Sequence, residues 1–140
     1  MLELLVEVTS GFLPEWNSDL GNAGLDLKAA CDMTIPSNGT IVIPLGIKTA
    51  FANLYVAIIK DRSGLSSKHG LFTHAGVIDS NYRGEWGVTI ENSTIDAYTV
   101  CRGDRIAQVI FLPCFHLRIC KTDFLPSSER GEKGYGASGK

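Results

Sequence analysis

The sequence predicts a small all-β domain of sandwich, jelly-roll or barrel type carrying one short helix. Three observations lead there. Apolar residues come in short bursts divided by glycine, proline and Asn/Asp/Ser punctuation, β-branched residues crowd those bursts, and no stretch sustains helical periodicity for three turns. A length of 140 residues fits one domain, and 44% apolar residues are enough for its core.

Taken in order, Leu2, Leu4, Val6 and Val8 flank a partly polar alternate set, the pattern of a half-buried strand. Ile41-Val42-Ile43, Tyr55-Val56-Ala57-Ile58-Ile59, Val88-Thr89-Ile90 and residues 106–112 read as buried strands. Ser63 to His69, bounded by Gly64 and Gly70, has room for one or two helical turns. Phe115, Leu117 and Ile119 alternate with His116, Arg118 and Cys120, which predicts a last strand with one buried face. Glycines at 131, 134, 136 and 139 then make ordering costly. The chain is therefore expected to divide into a 1–129 β domain and a 130–140 arm that stays mobile unless a ligand holds it.

Composition narrows the function. Thirteen Lys+Arg against fifteen Asp+Glu give a net charge of −2, so no overall basic field draws the chain to nucleic acid. No apolar run approaches the roughly 18 residues that span a bilayer, and residues 1–8 lack the basic flank and cleavage site of a signal peptide. Cys31, Cys101, Cys114 and Cys120 contain no Cys-x-x-Cys pair and are expected as reduced core thiols in a cytosolic compartment. His69, His74 and His116 have no zinc-ligand spacing.

Five segments carry candidate chemistry. In Asp61-Arg62-Ser63-Gly64, arginine offers a fork of donors, serine a hydroxyl and glycine close backbone approach to an anion; a strand-to-helix turn capped by Ser63 is the structural alternative. In Gly76-Val77-Ile78-Asp79-Ser80-Asn81-Tyr82-Arg83-Gly84, Asp79 stands where a strand ends, placed either to take a proton from water or to begin an Asx-turn. Asp26, in Ala23-Gly24-Leu25-Asp26-Leu27, is an outward strand carboxylate or a water-mediated metal anchor. Gln108, after Gly103-Asp104-Arg105, needs a partner inside a buried strand, from the fold or from a ligand. In the arm, Arg130, Lys133 and Ser138 are phosphate-binding types and Tyr135 offers a stacking face, although no Walker spacing is present.

These five segments, in this order and spacing, resemble the five motifs of the trimeric dUTPases from about Ala23 to the end of the chain. The resemblance implies a jelly-roll-like β fold, a homotrimer whose sites draw on all three subunits, and Mg²⁺-dependent hydrolysis of dUTP to dUMP and pyrophosphate in the cytoplasm (of the host for a virus or phage, with the nucleus open in a eukaryote). No nucleic acid or membrane partner is implied. By resemblance, Asp79 deprotonates the attacking water and Tyr82 packs under the deoxyribose. Asp26 anchors the metal's water shell. Arg62, Ser63, Gly64, Gln108, Arg130, Gly136 and Ser138 hold phosphates, and Tyr135 covers the uracil ring. Thr73, His74, Gly76 and Ile78 belong to the hairpin that reads uracil, where His74 is bulkier than the family pattern and Lys133 replaces a usual glycine in the arm. Two other readings are a dCTP deaminase of the same fold and a regulatory binding protein on this scaffold.

Overall fold

The computed structural model describes residues 3–16 and 21–134. Its elements are β1 (Leu5–Val8), β2 (Glu15–Trp16), β3 (Leu25–Lys28), β4 (Met33–Ile35), β5 (Thr40–Pro44), β6 (Ile47–Ala50), β7 (Tyr55–Lys60), α1 (Ser63–His69), β8 (Leu71–His74), β9 (Val77–Ile78), β10 (Gly87–Asn92), β11 (Tyr98–Val100) and β12 (Arg105–Pro113). The expected all-β architecture with one short helix is what forms.

Two sheets set the geometry. One has the order β2-β3-β12-β7-β9, the other β5-β10-β8, and the pairs β1-β6 and β11-β4 complete the shell. All paired strands run antiparallel. Alternation puts Val88, Ile90 and Asn92 of β10 inward, against Ile43, Leu45, Ile47, Trp86 and Val100. Asn92 is a fully buried polar residue whose amide is satisfied: its Nδ2 donates to the carbonyls of Ile35 and Asp96, and its Oδ1 accepts from the Thr94 N–H and hydroxyl. It pins the turn between β10 and β11 to β4.

Two expectations fail. Residues 115–120 form no strand: Phe115, Leu117 and Ile119 are 84%, 84% and 95% exposed, and among the described residues no strand pairs with them. The cysteines are free thiols but not core residues: Cys31 and Cys114 are half-buried and Cys101 and Cys120 exposed. Cys31, Cys101 and Cys114 sit in a bend or just past strand ends and Cys120 in the irregular segment after β12, where the side chain no longer points into a sandwich.

Candidate active site

Sheet order explains why distant segments meet. Gln108 of β12 stands opposite Asp26 of β3 on one side and Lys60 of β7 on the other. Strand β7 then runs straight into Arg62 and α1. Asp26, Arg62, Ser63, Gly64 and Gln108, with Asn22, Ala23 and Gly24, therefore line one cleft of about 240 Å³.

Its charges are tied together. Asp26 is only 8% exposed, not the outward carboxylate of a half-exposed strand. Arg62 Nε donates to its Oδ1 at 3.1 Å and Arg105 Nη1 to its Oδ2 at 3.5 Å. Arg62 Nη1 also donates to the Arg105 carbonyl at 3.1 Å. The carboxylate thus binds two guanidinium groups, of which that of Arg62 lines the cleft. Arg105 escaped the sequence reading because its partner lies across the β3–β12 ladder, beside a register shift between Arg105 and Ala107. Gln108 donates from Nε2 to the Asp61 carbonyl at 2.8 Å, leaving its Oε1 beside Gly24. A Cβ at Gly24 would come within 2.6 Å of that oxygen, so glycine is what lets the amide lie there. The N-cap of α1 is Arg62 with no side-chain cap, so Ser63 is not the cap, and its hydroxyl bonds no described residue.

Asp79 lies elsewhere. It follows Ile78, which faces Ala57, and so stands level with Val56. Lys60, the last residue of β7, is four residues further along that strand, roughly 13 Å at about 3.3 Å per residue, and Arg62 lies two residues beyond it. The Asp79 side chain is exposed and takes no hydrogen bond among the described residues; the Tyr82 N–H bonds its backbone carbonyl at 3.1 Å, a backbone turn in place of an Asx-turn. Arg83 Nη1 donates to the carbonyls of Ser80, Tyr82 and Thr49 at 2.8, 3.0 and 3.1 Å, stapling this turn to β6. The Tyr82 hydroxyl donates to the Glu85 carbonyl at 3.2 Å, and its ring lies so close to Gly84 that a Cβ there would meet the hydroxyl oxygen at 2.2 Å.

Between the two halves is the segment expected as a hairpin. It is instead a change of sheet: β8 pairs with β10, whereas β9 pairs with β7. The corner uses left-handed backbone at Ala75 (φ 56) and Gly76 (φ 86), and a Cβ at Gly76 would meet the Ile59 carbonyl oxygen at 2.9 Å. His74 turns to Glu91, with Nε2 and Oε2 2.5 Å apart. Thr73 donates its N–H (3.0 Å) and its hydroxyl to Asp61 Oδ1. Burial pushes the Asp61 carboxyl up; the two Thr73 bonds and the Lys60 charge outweigh it and hold the group below the ordinary carboxylate range.

Of the arm, Arg130 lies in an exposed turn, its Nε 3.0 Å from the Lys133 carbonyl. Tyr135, Gly136 and Ser138 lie outside the described residues. Among the described residues no group of three His, Cys, Asp or Glu is placed to hold a metal, and no helix is long and apolar enough to cross a membrane. A lone Asp26 with both oxygens engaged does not fit an ion held by protein alone. It does fit outer-shell support, through water, of a cation whose inner ligands come from a triphosphate.

Comparison with known proteins agrees on one family. The dUTPase family profile matches residues 16–139. The chain is similar to the deoxyuridine 5'-triphosphate nucleotidohydrolase of Tropheryma whipplei (strain Twist), 38% identical over 133 residues that cover 93% of this chain and 90% of that one. It is 41% identical over 119 residues to the enzyme of that name from Yarrowia lipolytica, covering 84% and 76%. Among solved structures, the dUTPase of Staphylococcus bacteriophage 80alpha with dUpNHpp superposes with a TM-score of 0.91 at 27% identity, covering 99% of each chain.

Proposed function

The chain belongs to the dUTPase family, and from that premise we propose how its residues divide the work of hydrolysing dUTP to dUMP and pyrophosphate. The protein is a dUTP diphosphatase of jelly-roll β fold. Asp79 is the general base: an exposed carboxylate with free lone pairs can orient and deprotonate a water molecule for in-line attack on the α-phosphorus. Tyr82, held under the sugar by Gly84 and the Glu85 carbonyl, excludes a ribose 2′-hydroxyl. Residues 73–76 and Ile78 form the uracil-reading corner, whose backbone groups suit base-edge recognition.

Arg62, Ser63, Gly64 and Gln108 hold the phosphates; such transfer needs charge neutralisation and alignment more than a covalent nucleophile. Asp26 fixes Arg62 and, through water, would support a Mg²⁺ accompanying the triphosphate. That ion would neutralise phosphate charge. Arg130, Gly136 and Ser138 take the terminal phosphate and Tyr135 covers uracil, so that the 130–140 arm closes the site. The free cysteines support a reducing, cytoplasmic setting.

One observation carries the assembly. Asp79 stands level with Val56 near the start of β7 whereas Arg62 lies past its other end, so the two belong to opposite ends of one strand, and a homotrimer with sites shared between chains is the reading that joins them. Exposed Phe115, Leu117, Ile119, Phe124 and Leu125 support it, as does an apolar groove of about 510 Å³ that includes Leu13, Trp16, Phe51 and Phe111; a neighbour would cover both.

Pyrophosphate release measured across dUTP, dTTP, dCTP and UTP should show dUTP strongly preferred over the other three. Ammonia from dCTP would point to the deaminase. Mixed trimers of Asp79→Asn and Arg62→Ala subunits should regain activity that neither variant has alone; no regain would place both residues in one chain's site.

A further inference from the structure

We propose that Asp61 is a positioning residue for nucleobase selection: its carboxylate clasps Thr73 and so fixes the corner at 73–76 against the end of β7. The proposal rests on the dUTPase reading above. Strand β8 is the outer strand of its sheet, so backbone donors on its free side need partners from elsewhere. The Thr73 N–H finds one in Asp61 Oδ1 at 3.0 Å, and the Thr73 hydroxyl bonds the same oxygen.

Both bonds end on a carboxylate, which makes them stronger than their neutral counterparts. They also cross a seam, since Asp61 follows β7 of the five-stranded sheet and Thr73 belongs to the three-stranded one. The far side of the corner is tied by the Ile59 N–H to the Gly76 carbonyl at 2.8 Å. Between the two ties stands Ala75 at φ 56, a conformation that an alanine leaves when its surroundings stop enforcing it.

Through its backbone, Asp61 also accepts from Gln108 at 2.8 Å, a bond that a side-chain replacement keeps. The two contacts can therefore be separated. The side chain serves the base corner, while the main chain serves the phosphate cleft. A base-reading backbone is sensitive to small displacement: an error of about 1 Å can cost on the order of a hundredfold in rate.

The test uses the full-length protein with three variants: Asp61→Ala, Asp61→Asn and Thr73→Val. Binding is measured for two probes, dUMP for the nucleoside side and inorganic tripolyphosphate for the phosphate side, alongside the kcat/KM ratio for dUTP over dCTP. Asp61→Ala should weaken dUMP binding and shrink that ratio by about tenfold or more, with tripolyphosphate affinity within about twofold. Asp61→Asn, which keeps an acceptor oxygen, should recover most of the loss, and Thr73→Val should reproduce part of it. Equal losses for both probes, a loss confined to tripolyphosphate, or an unchanged base ratio would each overturn the proposal. Should Asp61→Ala fail to fold, the Asn and Val variants decide by the same criteria. A wild-type protein inactive on dUTP would sink the family reading instead, a result separate from any of these.

Discussion

The phosphate cleft and the Asp79 turn are built on opposite plans. In the cleft, Asp26 is buried and binds two arginines, and Gln108 and Arg62 have their bonds made before any ligand arrives. At the turn, the backbone is stapled by Arg83 but the Asp79 carboxylate is left bare. The proposed division of work accounts for the difference. Cations that stabilise a polyphosphate act best when already oriented, which needs a neutralising carboxylate behind them. A general base must keep its lone pairs for water, so every partner that fixed it would also occupy it.

Replacing the bare carboxylate tests that contrast most severely. Asp79→Asn should lower turnover at least about a hundredfold while leaving the melting temperature and oligomeric state unchanged, because no described residue bonds that side chain. Turnover near wild type would remove Asp79 from its role; steady-state pyrophosphate release and thermal melting decide it.

The matching change in the cleft should behave differently. Asp26→Asn leaves two guanidinium groups without their counter-charge, so kcat/KM should fall about tenfold or more and stability by about 1–3 kcal/mol together. Denaturant titration beside kinetics at several Mg²⁺ concentrations reads both. A loss of rate with no loss of stability would mean that the ion pairs do not brace the cleft.

Gly84→Ala sharpens the comparison on the turn side. The added methyl would drive into the Tyr82 ring, so discrimination between dUTP and UTP should narrow several-fold, by about 1 kcal/mol. Competition kinetics with UTP would show it; an unchanged ratio would mean that Tyr82 does not guard the sugar.

The smallest effect is a pH dependence. The Asp61 carboxyl is held below its unfolded value, so its contribution is present above the unfolded pKa and is lost as pH falls through the folded one. Melting temperatures should therefore drop more steeply below about pH 4 in wild type than in Asp61→Asn. Parallel slopes would show that the Thr73 clasp carries no linkage.

Much of this was legible beforehand, for reasons that differ by residue. Strands β5, β7, β10 and β12 are centred on apolar or β-branched bursts, and the helix at Ser63–His69 ends at Gly70. Arg62, Ser63, Asp26 and Gln108 could be singled out because the order and spacing of their segments resemble the dUTPase motifs, whereas each segment alone also admitted a structural role. Arg105 and Asp61 were not, since their partners lie across a ladder and across a seam between sheets. Residues 115–120 misled because alternation reports only that one face is apolar, not whether anything in the same chain lies against it.

By itself the sequence determined the class of fold, the kinds of chemical group available and their order along the chain, because periodicity and side-chain chemistry are local properties. Only the tertiary structure decided which of those groups stand together. Strand order set Gln108 between Asp26 and Lys60, while the length of β7 kept Asp79 away from Arg62. Pairing between strands is a long-range choice, made by the packing of whole sheets, and no single segment carries it.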